Sequence, residues 1–365
     1  MRRPLRVLYV AYPLLRLSDE IAGGAEQVLL TLAQEMSSAG HDVTIAAAEG
    51  STVPGRLLAT GAATTRNDDY ERRNAEHEAA ILDHLVKHEY DIVHDMSGSF
   101  WQQIPTLPNR LLSTLHLPPE YYPNGSFPRP PDEVLFNGVS QSQARRFATE
   151  VGMHGLRVLT NGVRLESFPY CDSKQDYLLW LGRICEEKAP HLACDVADEL
   201  GMPLVIAGEV YPFSYHLQYF EEKLRPRLSS KNVRFMTSLT RAQKLELLSH
   251  ARALLITSLA EETSSLVGME AMACGTPVIA FRKGALPEVV RDSVTGFIAD
   301  NHEGMLESVR HIESIAPLVC REHVARHYSS RRMAREYLNL YAEVAKERQT
   351  HHAIEWHMEL VPQMP

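Results

Sequence analysis

Two glutamates, Glu262 and Glu270, bracket the part of the 365-residue chain whose side chains are best suited to chemistry: Glu262-Thr-Ser-Ser-Leu-Val-Gly-Met-Glu270-Ala-Met-Ala-Cys-Gly-Thr-Pro-Val-Ile-Ala280. Ser264 and Ser265 read as a helix start, with Leu266, Val267, Met269, Met272 and Ala273 forming the apolar face behind them. Gly275 ends that helix and Pro277 prevents its resumption, so Val278–Phe281 reads as a buried strand. Free N–H groups at the helix start form a partial positive pole that suits a phosphate. Helix side chains lean toward the N-terminus, so Glu270 points back at the same spot. One loop thus offers donors to an anion and acceptors to hydroxyls, a combination that suits a sugar nucleotide. The plainer alternative is a capped core helix carrying two exposed glutamates.

The elements that must position this loop alternate along the chain. Arg6–Ala11, His41–Ala46, Asp91–His94, Leu111–Leu115 and Phe136–Ser140 read as strands of a first half. Tyr177–Leu181, Pro203–Ala207, Val233–Met236, Ala253–Thr257, Val278–Phe281 and Gly296–Ala299 read as strands of a second, and helical patterns separate most of them. Thr52–Asn74 reads as polar and irregular, and Leu165–Lys174 as a linker. The first strand–helix unit has Gly23-Gly24-Ala25-Glu26 at its turn and no Gly-x-Gly-x-x-Gly, so the dinucleotide fingerprint is missing. In the second half Gly182-Arg183-Ile-Cys-Glu-Glu-Lys188 follows a strand. There Arg183 and Lys188 suit convergence on one anion, as a planar fork and a point charge, or else form a solvated loop offset by Glu186 and Glu187.

These stretches resemble the family-four retaining glycosyltransferases, whose Glu-x7-Glu signature continues, as here, into Ala-Met-Ala-Cys-Gly-Thr-Pro-Val-Ile-Ala. The chain departs from that pattern at Thr263-Ser264-Ser265, where many members have Gly or Pro and then Phe-Gly. Gly182-Arg183 followed by Lys188 is similar to the family's second signature, and Val158-Leu-Thr-Asn-Gly-Val163 to its strand ending in Asn-Gly-Val, just before the crossing to the second domain. The resemblance implies a GT-B fold, meaning α/β with two doubly wound Rossmann-like domains facing across a cleft and a last helix crossing back to the first. Domains are expected at 1–165 (acceptor side) and 166–335 (nucleotide-sugar side), with 336–365 returning to the first. It further implies that Glu270 holds ribose hydroxyls, that amides at Ser265 and Leu266 hold a diphosphate with Arg183 and Lys188, and that Glu262 touches the transferred sugar. Gly24, Ser264, Gly208, Glu209 and Leu239 join the donor site, Leu239 through a loop that carries Thr237 where similar enzymes usually have glycine. His116 follows a strand where similar enzymes contact the donor sugar near its reacting carbon.

His94 also ends a strand at the ligand-binding side and reads equally as structural or functional. Trp101, Tyr121 and Tyr122 suit an acceptor wall, since aromatic rings cover sugar faces. A proline-stiffened surface loop over Leu117–Glu133 is the other reading of the tyrosines. The final stretch carries Trp356 and has no further legible pattern.

Composition bounds the function. The net charge of −9 argues against nucleic acid as a partner, because a polyanion needs a basic face. The first 165 residues hold 15 Lys+Arg against 19 Asp+Glu, a net of −4, which favours a soluble hydroxyl acceptor such as a small carbohydrate over a lipid. Five cysteines with no Cys-x-x-Cys pair argue against a disulfide framework or a zinc site. No signal peptide or membrane-spanning run is legible, and a cytoplasmic location without strong membrane association is expected. No cofactor beyond a nucleotide-diphosphate sugar as co-substrate is expected, and no metal, because no Asp-x-Asp pair lies in a suitable loop. The expected reaction is sugar transfer to a hydroxyl with retained anomeric configuration. A phosphorylase or a nucleotide-sugar epimerase of the same fold, and a non-catalytic sugar-nucleotide binder, are the rival readings. The base, the sugar, the acceptor and the oligomeric state are not written in the sequence.

Overall fold

The computed structural model describes residues 3–13, 15–18, 23–63, 70–106, 111–122 and 134–359, apart from the side chains of 104–106 and 346–359. The chain divides into two compact units. The first comprises Met1–Val139, Ala144–Leu159 and Met333–Pro365, and the second Ser140–Gln143 and Thr160–Arg332.

In the first unit, strands β1 (Arg6–Val10), β2 (Asp42–Ala47), β3 (Arg56–Ala59), β4 (Ile92–Asp95), β5 (Leu111–Leu115), β6 (Val134–Gly138) and β7 (Arg157–Val158) form one parallel sheet ordered 3-2-1-4-5-6-7. Helices α1 (Gly24–Ser38), α2 (Tyr70–Lys87) and α3 (Gln141–Arg146) connect strands of it. Central strands β4 and β5 are buried along their whole length, as a parallel sheet covered on both faces requires. Strand β3 lies in the stretch read as irregular. It is a four-residue edge strand, partly exposed and flanked by polar residues, so no buried apolar run marks it.

The second unit repeats the plan with β8 (Leu178–Leu181), β9 (Leu204–Ala207), β10 (Val233–Met236), β11 (Ala253–Ile256), β12 (Val278–Phe281) and β13 (Gly296–Ala299), all parallel and ordered 10-9-8-11-12-13. Its helices are α4 (Pro190–Leu200), α5 (Ser214–Tyr219), α6 (Arg241–His250), α7 (Leu266–Ala273), α8 (Leu286–Val289), α9 (His302–His311) and α10 (Pro317–His327). Of these α5, α8 and α10 carry no legible signal in the sequence. Thr240 and Gln243 form a reciprocal capping box on α6. In both sheets the strand order reverses once, between β1 and β4 and between β8 and β11. Ligands of doubly wound sheets sit at the carboxyl ends of the strands flanking such a reversal.

The stretch Leu165–Lys174, expected to be a linker, is docked in the second unit. The Lys174 ammonium donates to the Ser249 and Cys274 carbonyls and to the Thr276 hydroxyl. Of the stretch Val158–Val163 expected as one strand, only Val158 is in β7, and Val163 instead makes an isolated bridge to Ser329.

Helix α11 (Ser330–Glu359) belongs to the first unit from Met333 onward. Its Tyr337 and Tyr341 are fully buried there. His94 spends both ring nitrogens on this packing, at 2.8 Å from the Tyr341 hydroxyl and 2.8 Å from the Thr114 hydroxyl. His94 is therefore a structural joint.

Burial lowers the pKa of His77 and of His116 from 6.5 to about 4, and drives that of His94 well below its ordinary value. Below about pH 6.5 the unfolded chain takes up protons that these folded imidazoles refuse. Stability contributed above that pH is therefore lost as the pH falls toward about 4. The melting temperature followed by circular dichroism should drop markedly between about pH 7 and 5, and a flat profile would count against this account. Among the described residues no helix is long and apolar enough to cross a membrane.

Candidate active site

The reversal between β8 and β11 brings two loops together in the second unit. Trp180 on β8 donates its indole N–H to the Thr257 hydroxyl at 3.0 Å. Thr257 in turn donates toward the carbonyls of Lys188 and Ala189, at 3.1 and 2.8 Å. The Glu187 carbonyl accepts the Leu259 amide at 2.8 Å. Ala189 takes φ +47°, in the left-handed region, as the chain turns sharply from Lys188 into α4. Strain of that kind persists only where neighbours fix it, and here the Thr257 hydroxyl does.

The stitched loops carry an ion pair. The Lys188 ammonium lies 2.5 Å from a Glu262 carboxylate oxygen, which also accepts the Ser258 hydroxyl at 2.5 Å. The Glu262 carbonyl accepts the Ala285 amide at 2.7 Å. Gly284, at φ +53°, lets its chain lie against the Glu262 backbone; a Cβ there would sit 2.2 Å from the Glu262 carbonyl oxygen. The carboxylate is thus fixed from both its side chain and its main chain.

Ser265 caps α7, accepting the Gly268 amide, so the first amides of the helix stay without intrahelical partners. The adjacent Ser264 hydroxyl is buried without a hydrogen-bond partner. Glu270 is 5 % exposed and held by the Lys244 ammonium at 2.7 Å. Neither Lys244 nor Ser258 is identified by sequence reasoning. Lys244 sits one turn into a helix that reads as ordinary amphipathic surface, and Ser258 has no signature of its own.

At the end of β9, Gly208 lies against the Gly182 carbonyl, where a Cβ would approach to 1.8 Å. The Glu209 carbonyl accepts the Ile184 amide at 3.0 Å. The Glu209 carboxylate accepts the Ser238 amide in the loop that contains Leu239. In that loop it is Ser238 that takes positive φ, at +52°, and not Thr237. Gly208→Ala should part β9 from the Arg183 loop and cost roughly 2–4 kcal/mol of stability in urea unfolding. An unchanged midpoint would contradict the close approach.

The remaining candidates belong to the first unit. His116 is buried and neutral just past β5. Gly24 begins α1, whose Glu26 carboxylate folds back over Gly23, where any Cβ would collide with it. Trp101 and Tyr122 are corrected by their burial. Trp101 donates to the Gly98 carbonyl at 3.1 Å and packs edge-on against Phe136. The Tyr122 hydroxyl accepts the Leu117 amide, and its ring meets Phe147. Both rings are core residues and present no open face, because this unit's sheet needs apolar bulk over β5 and β6. Tyr121 is 59 % exposed. The rest of the Leu117–Glu133 loop lies outside the described residues, as does the side chain of Trp356.

Two doubly wound α/β units, one with a paired Lys–Glu and a capped helix start at its strand reversal, define the class as GT-B-like. Residues 169–318 match the family model "Glycosyl transferases group 1", and residues 22–167 match "Glycosyltransferase Family 4". The chain belongs to the family-four, group 1 glycosyltransferases. A D-inositol 3-phosphate glycosyltransferase of Thermobifida fusca is 32% identical over 184 residues, which cover 47% of this chain and 41% of the relative. A protein of the same name from Mycobacterium marinum is 27% identical over 262 residues, covering 62% of this chain and 56% of the relative. The chain thus spans only part of the length of these curated relatives. Among solved structures, the avilamycin A biosynthesis glycosyltransferase AviGT4 aligns with TM-score 0.71 and 23% identity over 94% of this chain and 98% of its own. The Anabaena protein HepE in complex with UDP-glucose aligns with TM-score 0.72 and 15% identity over 93% of this chain and 100% of its own.

Proposed function

We propose that the chain transfers a sugar from a nucleotide-diphosphate sugar to a hydroxyl of a small soluble acceptor, with retained anomeric configuration and without a catalytic metal. The observation that carries this reading is the Lys188–Glu262 pair, held by Ser258 and the Thr257 stitching at the strand reversal of the second unit. An ammonium and a carboxylate fixed side by side suit a substrate whose anionic diphosphate adjoins a sugar rich in hydroxyls. The amides opening α7 add donors for the diphosphate, and Glu270 accepts from ribose hydroxyls.

In the reaction the bond from the anomeric carbon to the diphosphate oxygen breaks, and the acceptor oxygen bonds to that carbon. The acceptor's proton passes to the departing phosphate. Arg183 and Lys188 neutralise the charge that develops on it, the task a metal performs elsewhere. The chain's similarity to D-inositol 3-phosphate glycosyltransferases makes a phosphorylated cyclitol the first acceptor to try.

Calorimetric titration with uridine, guanosine and adenosine diphosphates identifies the base, and transfer is then assayed with the matching sugar donors. Turnover should persist in excess chelator; a loss restored only by magnesium or manganese overturns metal-independent transfer. Activity with free phosphate alone would mark a phosphorylase. Isomerised donor without acceptor would mark an epimerase. Binding without transfer or slow donor hydrolysis would mark a binding protein.

A further inference from the structure

In the Arg183 loop and against it lies a group of side chains that the proposed reaction does not use. Cys185 and His216 are both fully buried, and Glu187 is half-buried. One ligand-type atom from each, the Cys185 sulfur, a Glu187 carboxylate oxygen and a His216 ring nitrogen, lies within 4.8 Å of the other two. His216 is boxed by the rings of Tyr211, Phe213 and Tyr215, and neither of its nitrogens has a hydrogen-bond partner. One carboxylate oxygen of Glu187 is likewise buried and unpartnered. Two orphaned imidazole nitrogens in an apolar box are costly, and buried groups of this kind call for a ligand or an ion.

We propose that Cys185, Glu187 and His216 form a binding site for a zinc-class divalent cation. Thiolate, imidazole and carboxylate are the donor set zinc prefers, three protein ligands leaving a fourth position for water. Zinc bond lengths place tetrahedral ligands roughly 3.3–3.7 Å apart, so any pair of these atoms still near the 4.8 Å limit draws in by about 1 Å on loading. Burial, with the Glu187 carboxylate adding to it, holds the Cys185 thiol in its protonated form. Loading therefore breaks the S–H bond, forms the metal–sulfur bond and releases one proton to solvent. Thiolate and carboxylate together balance the dication, so Arg183, which interacts electrostatically with both residues, faces a neutral site. The ligands come from two separate segments, so cysteine spacing in the sequence gives no sign of them. The backbone is anchored on both sides, at Ile184 by the Glu209 carbonyl and at the Glu187 carbonyl by the Leu259 amide.

The test uses full-length protein stripped with chelator, desalted, and titrated with Co2+ as a spectroscopic stand-in for zinc. One equivalent should bind, with tetrahedral d–d bands and a thiolate-to-cobalt charge-transfer band in the near ultraviolet. Cys185→Ser should abolish the charge-transfer band, and His216→Phe should weaken binding by roughly a hundredfold or more. Phenylalanine fits the aromatic box and leaves no orphaned nitrogens, so that variant should fold without metal, as circular dichroism checks. Zinc should raise the melting temperature of the parent by several degrees and leave both variants unmoved. Absence of the band, binding well below one equivalent, a band that survives Cys185→Ser, or undiminished affinity in His216→Phe overturns the site.

Discussion

Replacing Arg183 by alanine is expected to lower turnover roughly 30- to 900-fold while weakening donor binding by less than about tenfold, corresponding to ~2–4 kcal/mol of transition-state stabilisation. The guanidinium stands on the first residue beyond Gly182 at the end of β8 and is exposed. Lys188, by contrast, already has its ammonium engaged by Glu262. An exposed guanidinium suits a charge that grows only as the diphosphate departs. Steady-state kinetics beside calorimetry of the nucleoside diphosphate separate the two effects. Equal losses in turnover and affinity would assign Arg183 to ground-state binding.

The second large effect concerns the pair itself. Lys188→Ala leaves the Glu262 side chain, 13% exposed, next to a site that must accept a diphosphate. Removing one member of a mostly buried pair costs more than the pair is worth, because the surviving charge loses its partner. Affinity of the Lys188→Ala variant for the nucleoside diphosphate should fall about a hundredfold. The double variant Lys188→Ala/Glu262→Ala should regain roughly tenfold of that loss, because the repelling carboxylate is gone. The nucleoside diphosphate carries no transferred sugar, so any contact between Glu262 and that sugar does not enter the comparison. Strictly additive losses in the double-mutant cycle would show that the two residues do not share a ligand.

The plan of the fold is legible because its central strands are short apolar runs bounded by clear turn residues. Val278–Phe281 and Val233–Met236 fall where the pattern puts them. Strand β3 is not legible, since an exposed edge needs no buried face. Helix α10 buries only Cys320 and Val324 and exposes Leu318 and Val319, so its periodicity is blurred. In the site, spacing and the Gly182–Lys188 loop mark Glu262, Glu270 and Lys188 as candidates, but not which cation pairs with which carboxylate. Lys188 pairs with Glu262 and Lys244 with Glu270 across separations of 74 and 26 residues. Only the sheet topology makes such distant residues neighbours. Trp101 and Tyr122 were misplaced for a related reason: a ring's type does not say whether it faces water, and these two fill the core while Tyr121 is exposed.

The buried seat of Tyr337 and Tyr341 has a consequence for biogenesis. His94, Thr114 and Asn137 depend on those two hydroxyls for hydrogen bonds, so a sheet made before the second unit is completed by a helix made after it. While the ribosome is still translating the second unit, the amino-terminal sheet waits with a polar slot unfilled, in a period when a chaperone has something to hold.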